Sequence, residues 1–309
     1  MTLKEKILNK IPGIITYGLT PPKQGHPAEK VHEIAGRQTD RVNGLPLDGL
    51  ALYDIQDEAD RISDERPFPF IHTIDPQVYS EEYLSGIEVP KIIYRVVGKY
   101  TREQMTGWFN STGKGDNFAV FVGISADNQN VKLTLPECYE LRRQIRPDML
   151  LGGVIIPERH QLLKDEHLRV RGKMDSGCSF FISQIVYNAE ASKDFLSDYY
   201  YYFAENGLEP TPLIFTIAPC GSLKTLEFMK WLGVSVPKWL ENDLKKSHSI
   251  LDKSVHLSLN IFRELLDYCS EKDIPVGCNI ESLAIRKDEI DASVYLANEV
   301  KKIFAEKGF

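Results

Sequence analysis

The stretch LLGGVIIPERHQLLKDEHLRVRGKMDSGCSFFISQIV, residues 150–186, decides the fold of this chain. It opens with a continuous apolar run at 150–156, passes through a segment with helical periodicity at 164–176, and ends in a second apolar run at 180–186. Apolar runs without alternation are typical of strands that are covered on both faces. The stretch therefore predicts one parallel unit of strand, helix and strand.

The same pattern recurs along the chain, which extends the prediction to the whole fold. Six further strands are predicted at residues 14–20, 49–53, 91–97, 117–123, 213–217 and 275–281. Helices are predicted at residues 101–111, 136–146, 164–176, 191–206, 223–232, 249–271 and 288–307. Eight such units predict a closed α/β barrel, a (β/α)8 TIM barrel, forming a single domain over residues 1–309. Neither a dinucleotide fingerprint nor a P-loop motif is present, which disfavours an open doubly wound sheet.

The composition of the chain argues against some kinds of partner and favours one cellular location. The chain has 309 residues with 37 Lys and Arg against 44 Asp and Glu, so its net charge is −7. This charge and the lack of a long basic run argue against a nucleic-acid partner. No run of eighteen apolar residues and no leader segment is found, so no membrane partner is expected. Five widely spaced cysteines without a C-x-x-C pair argue against a disulfide framework or a structural metal site and favour a cytoplasmic location.

Polar residues at the ends of the predicted strands are the candidates for chemistry, since barrel enzymes place their reacting groups there. Strand two ends in Tyr53 and Asp54, strand six contains Gln184, and strand eight carries Asn279 and Glu281. A polar segment at 54–76 follows strand two and is predicted to be a long loop on the same face. A Gln in this position is also commonly a structural amide of the core, and both interpretations of Gln184 stay open.

Several motifs together resemble the methylenetetrahydrofolate reductase family, which has a flavin-binding (β/α)8 barrel. They are YGLTPPK at 17–23, PERH at 157–160, KMDSGC at 173–178, FISQ at 181–184, TIAPCGS at 216–222 and VSVPKW at 234–239. The resemblance covers nearly the whole chain and is strongest between residues 150 and 240. It implies an oxidoreductase of one-carbon metabolism that passes a hydride from NAD(P)H to FAD and then to 5,10-methylenetetrahydrofolate, giving 5-methyltetrahydrofolate.

The resemblance also implies roles for individual residues. Gln184 is similar to the glutamine that lies between the flavin and the folate, as a catalytic and substrate-binding residue. His160 and Lys173 resemble residues on the ribose and phosphate side of FAD, where a Lys would supply positive charge to a pyrophosphate. Each also has a simpler interpretation, as a loop histidine and as a solvated lysine on a helix.

The chain departs from the family pattern at three places. Gly18 stands where the family has a strand-one glutamate that acts as a general acid. Tyr94 stands within the segment that replaces the family's third-strand motif. After strand four, Ser125 or Asp127 stands in place of the family's acidic residue, and Tyr94 and Asp127 are predicted FAD contacts. These departures favour an alternative function, a flavin-free or non-redox folate-binding barrel that serves a methyl-transfer partner.

Glu281 is our candidate for the missing acid. In a closed barrel strand eight pairs with strand one, so a carboxyl on strand eight can approach the space that a strand-one acid would occupy. The competing interpretations are that Glu281 caps the next helix, or that it pairs with Arg286, which resembles a folate-binding arginine of the family. The tyrosine run at 199–202 is compatible with helix packing or with an oligomer interface, and either a homo-oligomer or a protein partner is expected.

Overall fold

Eight parallel strands form a closed barrel in the computed structural model, which describes residues 1–57, 64–113, 117–123 and 131–309. Each strand is hydrogen-bonded to the next along the chain, and the eighth pairs with the first. The strands are β1 (Ile14–Leu19), β2 (Gly49–Leu52), β3 (Lys91–Val96), β4 (Phe118–Val122), β5 (Leu150–Ile155), β6 (Cys178–Ile185), β7 (Leu213–Ile217) and β8 (Val276–Glu281). The predicted (β/α)8 barrel is confirmed, and every predicted strand is present within two residues of its expected ends.

Helices surround the barrel and return the chain from the end of each strand to the start of the next. In the described segments they are α1 (Leu3–Leu8), α2 (Ala28–Asn43), α3 (Pro76–Tyr83), α4 (Arg102–Ser111), α5 (Leu135–Ile145), α6 (His160–Leu163), α7 (Glu166–Asp175), α8 (Ala189–Glu205), α9 (Leu223–Trp231), α10 (Lys238–Lys246), α11 (Ile250–Ser270) and α12 (Lys287–Glu306). All seven predicted helices are among them. The sequence pattern had not indicated α1, α2, α3, α6 or α10.

Helix α1 closes the amino end of the barrel. Its buried residues Leu3 and Ile7 pack against interior side chains such as Ile14 and Phe180. The helix begins with a capping box between Thr2 and Glu5, which satisfies free N–H groups of its first turn. With this end filled by apolar side chains, the opposite, carboxyl end of the barrel is left as the position for a site.

Two features of the fold concern the expected location of the chain: the state of its cysteines and the character of its helices. All five cysteines lie in described segments, and each is buried as a free thiol. Within the described residues, none of the helices combines the length and the apolar character that a membrane crossing requires.

Candidate functional site

The carboxyl of Glu281 lies inside the mouth of the barrel, at its carboxyl end. Glu281 is the last residue of β8 and pairs in register with Gly18 of β1. Its carboxyl is hydrogen-bonded to the hydroxyl of Tyr53, which follows β2 directly and packs against the apolar side chains of the barrel interior. The last strand therefore delivers an acid beside the position on strand one where a side chain is missing.

The ring of Tyr53 occupies the space beside Gly18. A Cβ atom added to Gly18 would lie 2.3 Å from the Tyr53 hydroxyl oxygen and 2.7 Å from two ring carbons. Such distances are far below van der Waals contact, so no larger residue fits at position 18 while Tyr53 keeps this conformation. The tyrosine thus reaches from β2 across β1 to β8.

Asn279 is the centre of a buried polar network below this tyrosine. Its side-chain oxygen accepts a hydrogen bond from Thr16 Oγ1 at 2.8 Å. Its side-chain nitrogen donates to the Tyr53 hydroxyl at 2.8 Å and to Thr216 Oγ1 at 3.2 Å. The amide is fully buried, and it uses its acceptor and both of its donors. Since the Tyr53 oxygen accepts from Asn279, its own proton is free to be donated to Glu281.

Burial controls the protonation of this group of residues. It raises the pKa of Glu281 to about 7, although the hydrogen bond from Tyr53 acts in the opposite direction by favouring the carboxylate. Burial, together with the charge of Glu281, also raises the pKa values of Tyr53 and Tyr94 well above the ordinary value for a phenol. Both tyrosines are therefore protonated at neutral pH, while Glu281 can exchange a proton with a bound molecule.

Tyr94 belongs to this same group of residues. It lies on β3 inside the barrel, nearly buried, and its ring meets that of Tyr53 edge-on with 4.8 Å between the centroids. The sequence analysis assigned Tyr94 to FAD. The structure places it beside Tyr53 and Glu281, as part of the wall of the mouth, and its assignment to FAD stays a prediction.

His160 lies in the helix layer, outside the barrel interior. Its ring is fully buried, its Nδ1 accepts from the backbone N–H of Glu166 at 3.3 Å, and its Nε2 lies 2.9 Å from a carboxylate oxygen of Asp198. Because a backbone N–H can only donate, Nε2 carries the proton and donates it to Asp198. His167 completes a cluster whose three ligand atoms lie within 4.8 Å of one another. A protonated Nε2 cannot bind a metal ion, so this cluster is better described as a hydrogen-bonded pair with a neighbouring ring.

Lys173 also points into the layer between helix and strand. The amine of this α7 residue donates to the backbone oxygen of Val154 on β5, and burial lowers the pKa of the amine. Its side chain lies close to the outer face of Gly153. In the described residues, His160 and Lys173 are engaged within the protein and do not converge on the mouth, so the groups expected to hold FAD do not form a cradle for it there.

The remaining predicted residues are separated from Glu281. Gln184 lies at the irregular end of β6, and its amide donates to the backbone oxygen of Leu232 at 2.9 Å. Arg286 is exposed at the start of α12, where it forms an ion pair with Asp288 at 2.8 Å. The alternative that Arg286 pairs with Glu281 is therefore not seen, and α12 has no side-chain cap. Asp127 lies outside the described residues.

Residues 64–66, in the described part of the chain after β2, contact α9. The Trp231 ring N–H donates to the backbone oxygen of Asp64 at 3.0 Å. The guanidinium of Arg66 lies 4.9 Å from the centroid of the Trp231 ring and 5.4 Å from that of Phe228. The predicted loop at 54–76 is described only in part, since residues 58–63 lie outside the described residues.

Tyr53 and Asn279 are site residues to which the sequence analysis gave no role. Both were visible as polar residues at strand ends, and strand alternation places Asn279 and Glu281 on the same face of β8. The contact of Tyr53 with a strand two positions away, however, depends on a glycine that leaves room for its ring.

Comparison with known proteins gives two informative matches. The family model of methylenetetrahydrofolate reductase matches residues 146–272. A solved structure of an uncharacterized protein from Clostridium thermocellum that binds two copies of 5-methyl-5,6,7,8-tetrahydrofolic acid is 53% identical, with a TM-score of 0.87 over 97% of this chain and 99% of that one. A GH113 β-1,4-mannanase is 13% identical, with a TM-score of 0.51 over 96% of this chain and 98% of that one, and shows the fold alone. No curated protein matches the chain.

These matches agree with the motifs that carry the resemblance, because five of the six quoted motifs lie within the matched residues 146–272. The departures at Gly18 and Tyr94 lie outside that range. The chain therefore belongs to the methylenetetrahydrofolate reductase family, as a divergent member.

Proposed function

We propose that this chain binds a reduced folate at the carboxyl-end mouth of its barrel, and that Glu281 exchanges a proton with the bound pterin ring. The observation that carries the proposal is the position of Glu281, which lies inside the mouth, in register with Gly18 and hydrogen-bonded to Tyr53. The residue is only half-buried, so a molecule in the mouth can reach it. Its pKa of about 7, raised by burial, is in the range where an acid both holds and releases a proton.

The relative from Clostridium thermocellum supports the choice of ligand. It binds 5-methyltetrahydrofolic acid and is 53% identical to this chain over nearly its full length. Sequence similarity at this level extends to the barrel as a whole, including the strands that form the mouth. A reduced folate is therefore the ligand class that we assign to the site.

The chemistry of the ligand explains why an acid is useful here. In 5-methyltetrahydrofolate the N5 nitrogen carries the methyl group and a lone pair. A protonated Glu281 can donate a hydrogen bond to such a nitrogen, and its proton can neutralise the negative charge that N5 would develop if the methyl group left. Tyr53 would meanwhile donate to the other carboxyl oxygen. We infer a role in methyl transfer, with the acceptor supplied by a partner, in a reducing cytoplasm that suits five free thiols.

A flavin-dependent reductase that uses NAD(P)H to convert 5,10-methylenetetrahydrofolate to 5-methyltetrahydrofolate is the second candidate. The family match over residues 146–272 favours it. The positions of His160 and Lys173, both engaged inside the helix layer, disfavour it. An absorption spectrum of the purified protein after titration with FAD tests this candidate. A flavin spectrum that stays with the protein through gel filtration would support the reductase, and its absence at tens of micromolar FAD would support the flavin-free barrel.

Calorimetric titration with 5-methyltetrahydrofolate between pH 6 and pH 8.5 tests the main proposal. If the ligand binds the protonated form of Glu281, its Kd should rise as pH increases through 7, by about thirtyfold over this range. Glu281→Gln keeps a donor in the same place, so it should retain binding and lose the pH dependence. Glu281→Ala should weaken binding at pH 6 by about tenfold or more, the value of one hydrogen bond to a charged or proton-sharing group.

Glu306→Gln is the matched control, since this exposed glutamate ends α12 at the opposite, amino end of the barrel. It should bind as the unmodified protein does at every pH. The proposal is wrong if the unmodified protein does not bind the folate, or if Glu281→Gln keeps the same pH dependence.

A further inference from the structure

Tyr53 follows β2, yet its hydroxyl crosses β1 and contacts two residues of β8. Strand pairing alone does not require this contact. The hydroxyl receives a hydrogen bond from Asn279 at 2.8 Å and is itself bonded to Glu281. Asn279 in turn is fixed by Thr16 on β1 and Thr216 on β7. The orientation of the phenol is thus determined by three neighbouring strands before any ligand is bound.

We infer that Tyr53 is a positioning residue for Glu281, and that position 18 is a glycine because the ring of Tyr53 must cross β1 there to reach the carboxyl. The inference rests on the proposed function, in that positioning matters only if Glu281 meets a ligand. It adds the residue that sets the orientation and the proton affinity of the acid.

The geometry at Gly18 carries this inference. With a Cβ at 2.3 Å from the hydroxyl oxygen and 2.7 Å from two ring carbons, any other residue would force Tyr53 away from both Asn279 and Glu281. The register confirms that β1 is the strand being crossed, since Gly18 pairs with Ala51 of β2 on one side and with Glu281 of β8 on the other. Gly18 and Tyr53 therefore depend on each other, and the effects of substituting them should not be additive.

The surroundings of Glu281 show which other groups could influence its protonation. Among the described residues, Tyr53 acts on it through a hydrogen bond from β2, and Tyr94 interacts with it through charge from β3. On β1 the residue paired with Glu281 is Gly18, and on β7 the pairing ends one residue earlier, with Ile217 opposite Ile280; neither Gly18 nor Ile217 titrates. Arg286, in the segment after β8, is held by Asp288. Loss of the Tyr53 hydroxyl should therefore be the change that moves the pKa of Glu281 most.

Infrared titration of the buried carboxyl tests the inference without a ligand. The signal of Glu281 in the unmodified protein is obtained by subtracting the spectrum of Glu281→Gln. In Tyr53→Phe it is obtained by subtracting the spectrum of the double variant Tyr53→Phe/Glu281→Gln. Because the Tyr53 hydroxyl favours the carboxylate, Tyr53→Phe should move the midpoint upward by about one pH unit. Tyr94→Phe, the same change on the neighbouring strand, should move it much less.

Gly18→Ala should move the midpoint in the same direction as Tyr53→Phe, because the added methyl group displaces the tyrosine. In a Tyr53→Ala background, Gly18→Ala should add little further change in either midpoint or melting temperature. An unchanged midpoint in Tyr53→Phe overturns the inference, as does equal displacement by Tyr94→Phe.

The two hypotheses fail in different ways. If the folate binds with the expected pH dependence but Tyr53→Phe leaves the infrared midpoint unchanged, the proposed function stands and the role of Tyr53 does not. If the midpoint moves as expected while the folate does not bind, Tyr53 orients Glu281 but the ligand has been assigned wrongly. Circular dichroism shows whether the barrel of each variant has folded. If Tyr53→Phe does not fold, Tyr53→Leu takes its place in the infrared titration.

Discussion

Glu158 offers a quantitative test of how burial shapes the carboxyl end of the barrel. It lies in the turn after β5, is only 6% exposed, and burial raises the pKa of its carboxyl to about 8. The nearby carboxylate of Glu166 acts in the same direction, while the backbone N–H groups of Glu158 and Tyr187 favour the charged form less strongly. We predict that Glu158→Gln, which removes the charge and keeps the shape, stabilises the protein at alkaline pH.

The magnitude follows from proton linkage. Since the carboxyl binds its proton more tightly in the folded chain than in the unfolded chain, stability falls as pH rises above the ordinary value of 4.5, and the loss levels off above about 8. Each pKa unit corresponds to about 1.4 kcal/mol, which gives an upper limit of about 5 kcal/mol. Because the glutamine amide must find partners of its own, we expect a gain of about 1–3 kcal/mol at pH 8.5.

Urea unfolding at pH 5, 7 and 8.5 measures this effect. The free energy of unfolding of Glu158→Gln should lie below that of the unmodified protein at pH 5, where only the cost of the amide is felt, and should rise relative to it through pH 7 until it exceeds it at pH 8.5. The exposed control Glu306→Gln should show no such trend. A difference of the same size at all three pH values would refute the reasoning, because it would mean that Glu158 has the same proton affinity in the folded and unfolded chains.

Two further substitutions probe the barrel interior and β6. Asn279→Ala should lower the free energy of unfolding by about 2–4 kcal/mol, because it leaves Thr16 and Thr216 without their buried partner and opens a cavity. A loss below about 0.5 kcal/mol, the usual limit for a surface substitution, would contradict this. Gln184→Ala should cost about 1 kcal/mol through its bond to Leu232 and change the folate Kd by less than about threefold, whereas a larger loss of affinity than of stability would place Gln184 at the substrate.

The strands could be predicted because they are apolar on both sides. The runs at β5 and β7 are buried almost throughout, by the barrel interior on one face and the helices on the other. The helices that were missed lack such a signal. Helix α2 buries only three residues among sixteen, so its apolar residues recur at helical spacing but are few, and α1 has six residues in all.

The site could be predicted only in part, for a physical reason. Barrel closure is enough to bring Glu281 next to β1, which is why the sequence indicated this residue. Whether a side chain turns inward and which partner it meets depend on the register of the pairing and on space left by other residues, here by Gly18. For His160 and Lys173, family motifs indicated the residues but not that Asp198 and Val154 would engage their polar groups.

The crystal structure of the protein with 5-methyltetrahydrofolate tests the central claim most directly, because it locates the pterin ring relative to Glu281. The account predicts the ring inside the carboxyl-end mouth, with a ring nitrogen about 2.6–3.2 Å from the Glu281 carboxyl and Tyr53 still bonded to that carboxyl. A pterin bound outside the mouth, or one in the mouth with no contact to Glu281, would contradict it.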